Sequence, residues 1–133
     1  MKPFTVTLTH TLTSEQISDI LTSALEGGSN YWCRVVDCLA PMTTWEFDSE
    51  PKSEQGHWAQ DFPLNPGGKV LIVDKLDGDA GVLTLDAEAI QKGLNVLAEK
   101  YPWHITNILS ENDDAETGDV LLQCSLFGDI IYS

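Results

Sequence analysis

The sequence predicts an α+β domain in which a mostly antiparallel sheet of about five strands carries two to three helices on one face. Apolar residues recur at helical spacing in two segments, 14–26 and 87–100. Segments 4–10 and 69–76 instead have the apolar alternation or β-branched content of strands. Because helices and strands do not alternate regularly along the chain, a doubly wound parallel sheet is not expected.

The first helix has a start signal and a stop signal. Thr13 can cap it, and Gln16 can reach back to complete a capping box. Gly27 and Gly28 follow the last apolar residue, where a glycine can end a helix. The second glycine exceeds what a stop requires, so it also predicts a close backbone approach. The predicted apolar face consists of Ile17, Ile20, Leu21, Ala24 and Leu25.

Two further helices are predicted in the second half of the chain. Asp86 is placed to cap the helix at 87–100, and Pro102 lies near the first position of a short helix at 103–109. The predicted buried stripe of the longer helix consists of Ile90, Leu94, Leu97, Ala98 and Tyr101.

The remaining strands are assigned from apolar runs. Segment 31–39 has valines flanked by cysteines, which predicts a central strand buried on both faces. A turn at 77–81 joins the strand at 69–76 to a return strand at 82–85. An acidic loop at 111–118 precedes the last predicted strand region, 120–132.

One domain spanning residues 1–133 is expected from the length, interrupted by a long irregular insertion at about 40–68. This insertion contains four of the six prolines. Residues 45–47 could form a short edge strand within it, and residues 49–56 are expected to be an exposed loop that the fold tolerates losing.

The net charge of −14 limits the partners that the chain can have. Direct binding to nucleic-acid phosphates needs Lys and Arg, so it is not expected, whereas a host protein with a basic surface is a suitable partner. No apolar run approaches the roughly 20 residues of a membrane span. No secretory signal is apparent either, so the predicted location is cytoplasmic, in the host cell cytosol.

No catalytic residue, metal ligand or cofactor is predicted. The cysteines, three in number, are expected to be buried free thiols, although Cys33 beside Arg34 could have a lowered pKa. His57 is the best general-base candidate but has no visible partner. The acidic loop lacks the spacing of a calcium loop.

The predicted binding site combines the segment after the first helix with the acidic loop. Aromatics beside a double glycine are typical of contact surfaces, and a helix C-terminus near carboxylates favours a cationic group or an aromatic base. The proposed binding residues are Gly27, Gly28, Asn30, Tyr31, Trp32, Asp113, Asp114 and Glu116.

The run EGGSNYWC, and a second run ENDDAETGDVLLQCSLFG at 111–128, resemble a family of small uncharacterised proteins encoded by bacteriophages and prophages. The resemblance covers roughly a fifth of the chain. It implies a phage setting and an accessory role, with no established activity to carry over.

Three functions remain open from the sequence. The first is a non-catalytic phage-type accessory protein that binds a host protein or a small molecule, with countering host defence as one such role. The second is an acidic decoy that imitates nucleic-acid charge, although the carboxylates are scattered through loops and helix ends. The third is a small metal-dependent hydrolase, which would require His57 to converge with the carboxylates at 111–119.

Overall fold

The computed structural model describes residues 3–4, 10–39, 64, 67–111 and 115–132. Within these ranges the chain forms four α-helices and a three-stranded antiparallel sheet, which confirms the α+β class. The predicted number of about five strands is not confirmed, and the helices are more numerous than predicted. Two of the predicted strands fall largely outside the described residues, at 5–9 and 45–47. Most of the insertion at 40–68 also lies outside them.

Helix α1 (Ser14–Ser23) begins at the predicted capping box. The Thr13 hydroxyl accepts a hydrogen bond from the Gln16 amide at 3.1 Å, and the Gln16 side chain accepts one from the Thr13 amide at 2.8 Å. The chain then continues as a π-helical turn, Ala24–Gly28, instead of the single regular helix expected over 14–26. The buried face of α1 consists of Ile17, Ile20 and Leu21.

The sheet contains β1 (Cys33–Leu39), β2 (Lys69–Asp74) and β3 (Val82–Leu85), in that spatial order. Strand β1 therefore lies at the edge of the described sheet. Its two cysteines are buried but most of its other residues are exposed, so the prediction of a central strand buried on both faces is wrong. A register shift between Val35 and Asp37 interrupts the alternation, which makes the run look apolar on both sides.

The predicted hairpin between β2 and β3 is confirmed. The two strands pair antiparallel, and a short 3₁₀ turn, Gly78–Ala80, connects them. The Asp77 side chain accepts a hydrogen bond from the Asp79 amide at 3.0 Å, which stabilises the start of this turn. Gly81 then adopts a positive φ of 71°, a conformation that favours glycine.

Helices α2 (Ala87–Lys100) and α3 (Pro102–Leu109) follow as the sequence predicts. The Asp86 carboxylate accepts a hydrogen bond from the Ala89 amide at 2.9 Å, and Pro102 occupies the first turn of α3. The buried stripe of α2 contains fewer residues than predicted. Ile90 and Leu97 are buried and Leu94 is half-buried, whereas Ala98 is exposed.

The largest difference from prediction is helix α4 (Ala115–Phe127). It replaces both the end of the predicted acidic loop and most of the strand region expected at 120–132. Every residue from Thr117 to Cys124 is buried, because α1, the π-helical turn, α2 and β3 all pack against this helix. A helix that is buried all round has no polar face, so its sequence lacks the helical periodicity and resembles a buried strand.

The core is built on both sides of α4. Leu122 packs with Trp32, Val70 and Ile72 in a cluster against the sheet, whereas Leu121 belongs to a second cluster with Leu97. All three cysteines are buried and free, as predicted.

Candidate functional site

A buried polar site centres on the Asp119 carboxylate of α4, which is only 9% exposed. Its Oδ1 accepts hydrogen bonds from the Ser29 hydroxyl at 2.8 Å and the Trp32 indole N–H at 2.7 Å. Its Oδ2 accepts one from the Tyr31 hydroxyl at 2.6 Å. Donors to an ionised acceptor make strong, short bonds, so Asp119 fixes the whole turn between the π-helical turn and β1.

Gln123 extends this network one turn further along α4. Its Nε2 donates to Asp119 Oδ2 at 3.2 Å and to the Tyr132 carbonyl at 3.2 Å. Its Oε1 accepts hydrogen bonds from the Ile131 amide at 2.9 Å and the Tyr132 amide at 2.8 Å. The Gln123 side chain thereby satisfies backbone hydrogen-bonding groups of residues 131–132, as a neighbouring strand would.

An aromatic cluster covers the network. The Trp32 ring lies 5.3 Å from the Phe127 ring and 5.7 Å from the Tyr132 ring, measured between centroids. The Tyr132 hydroxyl donates to Asp74 Oδ2 at 2.5 Å, which ties this cluster to the end of β2. We refer to Asp119, Gln123 and their hydrogen-bond partners as the Asp119 network.

Both tyrosines of the Asp119 network hold their protons tightly. Burial, followed by the hydrogen bond to Asp119, raises the pKa of Tyr31 from 10.0 to about 12. The hydrogen bond to Asp74, followed by burial, raises the pKa of Tyr132 from 10.0 to about 12. At neutral pH both hydroxyls are therefore hydrogen-bond donors.

The double glycine allows two helical segments to approach closely. A Cβ on Gly28 would lie 2.6 Å from the Ala115 carbonyl oxygen, whereas a Cβ on Gly27 would meet nothing within 4 Å. A Cβ on Gly118 would similarly lie 2.6 Å from the Ile20 carbonyl oxygen. The close approach predicted for the second glycine is therefore an approach to α4 of the same chain.

Of the predicted binding site, the structure places Gly28 against Ala115, the residue that precedes Glu116 at the start of α4. Trp32 is fully buried in the Asp119 network, Tyr31 is 42% exposed, and Asn30 is exposed in the turn before β1. Glu116 is exposed in the first turn of α4. Asp113 and Asp114 lie outside the described residues. Ligand binding at these residues stays a prediction.

Sequence reasoning did not identify Asp119 and Gln123 as a pair. The available signal was their spacing of four residues within the apolar run that follows Gly118. On a helix, such residues lie on the same face, so two polar groups in an otherwise apolar run indicate one buried hydrogen-bonding stripe. That signal is readable only if the run is first recognised as helical.

The remaining reactive side chains do not extend the site. Burial, then the Asp119 charge, raises the pKa of Cys33 to about 12, so the hypothesis of a lowered-pKa thiol beside Arg34 is wrong. His104 is buried with its Nδ1 3.4 Å from the Thr117 hydroxyl, and His57 lies outside the described residues.

In the described ranges, no group of three or more His, Cys, Asp or Glu side chains could hold a metal ion. Among the described helices, none is long and apolar enough to cross a membrane.

Exposed apolar residues lie near the end of the sheet where β1 begins, β2 ends and β3 begins, and they are distributed over both of its faces. Tyr31 and Ile131 both flank Gln123, and Leu76 follows Asp74, to which its amide donates at 2.8 Å. Val82 pairs with Val73, the neighbour of Asp74 in β2. We call the exposed residues Tyr31, Leu76, Val82 and Ile131 the sheet-end surface.

The chain was compared with models of known protein families, with curated proteins and with solved structures, and none of them matches it.

Proposed function

We propose that this chain is a small non-catalytic binding protein that docks a basic protein partner through the sheet-end surface. The observation that carries the proposal is Tyr31. Its ring is 42% exposed, yet its hydroxyl is fixed 2.6 Å from the buried Asp119. A rigid, half-exposed aromatic side chain contributes contact area to an interface without a large cost in conformational entropy.

The apolar neighbours of Tyr31 support the same proposal. Leu76 is 57% exposed, and Val82 and Ile131 are each more than half exposed. Isolated exposed apolar side chains are ordinary, but several at one end of a sheet are typical of a contact surface. Such a surface buries its apolar centre against the partner and leaves its charged groups at the rim.

Charge favours a basic partner. Asp77 and Asp79 are exposed in the turn next to Leu76, with Lys75 between them and β2. The chain as a whole carries a net charge of −14. Lys and Arg side chains around the partner's apolar centre would be steered toward this end of the molecule.

The phage setting, the host cytosol and a role in countering host defence enter this proposal only through the resemblance of the EGGSNYWC run. The decoy alternative is less well supported, because many carboxylates serve the fold of the chain itself. Six described carboxylates accept hydrogen bonds from within the chain: Asp37, Asp74, Asp77, Asp86, Asp119 and Asp129.

A pull-down from bacterial lysate with three forms of the protein tests the proposal. The test form carries Leu76→Glu and Val82→Glu, and the control carries Leu39→Glu. Leu39 is similarly exposed, at 43%, but lies at the opposite end of β1. We expect the wild type and the control to retain the same basic protein and the test form to lose it.

Salt provides a second readout. The Debye length falls from about 8 Å at physiological ionic strength to about 3 Å at 1 M salt, so retention of a basic partner should weaken strongly. Equal retention by all three folded forms would show that the sheet-end surface is not the docking site.

A further inference from the structure

A groove on the helical side of the molecule lies apart from the sheet-end surface. It has a volume of about 570 Å³ and runs between the segment before α1 and the exposed side of α2. Its floor includes the buried side chains of Ile17 and Ile90, and the half-buried Leu94 and Ile105 line its walls. The groove and the sheet-end surface share no residue, so they are independent sites.

The described residues that line the groove include one titratable side chain, His10. Charged residues make up 21% of the chain, yet none of the described residues that line the groove is Asp, Glu, Lys or Arg. An ionised ligand would lose hydration there without gaining an Asp, Glu, Lys or Arg partner among these residues, which is unfavourable. An uncharged and mainly apolar occupant matches this lining. The apolar side chains are aliphatic, which favours an aliphatic ligand over an aromatic one.

Polar side chains at the edge of the groove indicate which hydrogen-bonding group a ligand should carry. The Gln91 Nε2 donates a hydrogen bond to Asn95 Oδ1 at 3.0 Å, one turn along α2. This pairing leaves the Gln91 Oε1 as an acceptor and the Asn95 Nδ2 as a donor. An amide offers the complementary donor and acceptor together, whereas an ester offers only the acceptor.

We propose that this groove binds a small, uncharged, mainly aliphatic molecule that carries one amide group. The aliphatic part lies on Ile17, Ile90 and Leu94, and the amide bonds to Gln91 and Asn95. The volume falls within the range of roughly 300–1,000 Å³ that is typical of small-molecule sites. This ligand class differs from the basic protein partner proposed for the sheet-end surface.

Titration calorimetry with three probes that share an eight-carbon acyl chain tests the ligand class. Octanamide is neutral with a donor and an acceptor, methyl octanoate is neutral without a donor, and octanoate is an anion. We expect saturable one-to-one binding of octanamide, with methyl octanoate weaker by roughly 3- to 10-fold because one hydrogen bond is lost. Octanoate should bind more weakly than either, because none of the described lining residues is Lys or Arg.

Two variants with a matched control test the location. Ala98→Phe fills the groove from an exposed position, whereas Glu99→Phe adds the same ring to an adjacent exposed position outside the lining. We expect Ala98→Phe to lower octanamide affinity at least tenfold and Glu99→Phe to leave it unchanged. The double variant Gln91→Leu with Asn95→Leu should retain probe binding but lose the preference for amide over ester.

Three results would overturn the proposal: no saturable binding of octanamide, octanoate binding as tightly as octanamide, or equal affinities in the folded Ala98→Phe and Glu99→Phe forms. An amide preference that survives in the double variant would refute the assignment of the head group to Gln91 and Asn95.

Discussion

Asp119 and the Gln91–Asn95 pair both bring polar groups next to apolar side chains, but the two regions satisfy those groups differently. In the Asp119 network, each carboxylate oxygen accepts at least two hydrogen bonds from within the chain. On α2, one internal bond leaves an acceptor and a donor available at the edge of an open groove. The first arrangement holds three parts of the chain together, whereas the second leaves hydrogen-bonding capacity for another molecule.

The difference teaches how to interpret a conspicuous motif. The aromatic and glycine-rich turn at 27–32 is the densest local signal in the sequence, and most of it is used in internal packing. Gln91 and Asn95 belong to an ordinary amphipathic helix and form no motif. A dense group of unusual residues therefore indicates structural constraint first, and hydrogen-bonding groups without an internal partner are a separate indication of binding capacity.

Removing the centre of the Asp119 network should have the largest effect on stability. Asp119→Ala leaves the Ser29 hydroxyl and the Trp32 indole N–H, both on fully buried residues, without their acceptor. Each unsatisfied group costs about 1–3 kcal/mol, so we expect a loss of about 3–5 kcal/mol in the free energy of unfolding. Urea unfolding followed by circular dichroism measures it.

Glu116→Ala is the matched control, because Glu116 is exposed in the first turn of the same helix. It should cost no more than about 1 kcal/mol, the usual size of a favourable charge at a helix N-terminus. A similar loss in both variants would mean that the network does not hold the fold together.

The adjacent glycines provide the second test. Gly28→Ala forces a Cβ to within 2.6 Å of the Ala115 carbonyl, so α4 must shift. We expect a loss of about 1–3 kcal/mol, as for overpacked sites. Gly27→Ala has open space and no positive φ, and should be neutral or stabilise by up to about 1 kcal/mol. The same urea experiment distinguishes them, and equal effects would contradict the proposed close approach.

High pH should weaken the Asp119 network by a smaller amount. The folded protein holds the Tyr31 and Tyr132 protons until about pH 12, whereas unfolded tyrosine releases its proton near pH 10. Their contribution to stability is therefore fully present below pH 10 and is lost between pH 10 and 12. The buried thiols, whose pKa values are raised from 9.0, extend the decline to lower pH.

The urea midpoint measured between pH 8 and 11.5 should fall, and should fall less steeply above pH 10 in the double variant Tyr31→Phe with Tyr132→Phe. Parallel curves for the two proteins would show that the tyrosines are not responsible.

The smallest effect is expected on the groove side. Gln91 and Asn95 are exposed and contribute one side-chain hydrogen bond to each other. Replacing both by Leu should change the free energy of unfolding by no more than about 0.5 kcal/mol, as for ordinary surface positions. A loss of several kcal/mol would show that this pair is structural, and would remove the contrast between the two regions.

Local signals predicted the parts of the fold that local interactions determine. The capping box at Thr13, the cap at Asp86 and the hairpin before β3 each depend on residues a few positions apart. Helix α4 could not be predicted in this way, because its helical state depends on being surrounded by α1, α2 and the sheet. Tertiary burial removed the polar face that would have identified the helix.

The candidate site was predictable only in part for the same reason. The aromatics and the double glycine are visible in the sequence, but their function depends on a carboxylate almost ninety positions away. That partner was assigned to the end of an acidic loop, so Trp32 was expected to contact a ligand or a partner. A local pattern identifies which residues are constrained, and the identity of their partner requires the fold.

The distance along the chain between Asp119 and its partners has a kinetic consequence. Ser29, Tyr31 and Trp32 precede Asp119 by 90, 88 and 87 residues. Closing a flexible loop of that length costs about 4 kcal/mol plus a constant, and this cost must be met before any of the three bonds forms. We therefore expect these bonds to form late in folding. Bonds that form after the folding transition state affect mainly the unfolding rate. Their loss should therefore shorten the lifetime of the folded state more than it slows folding.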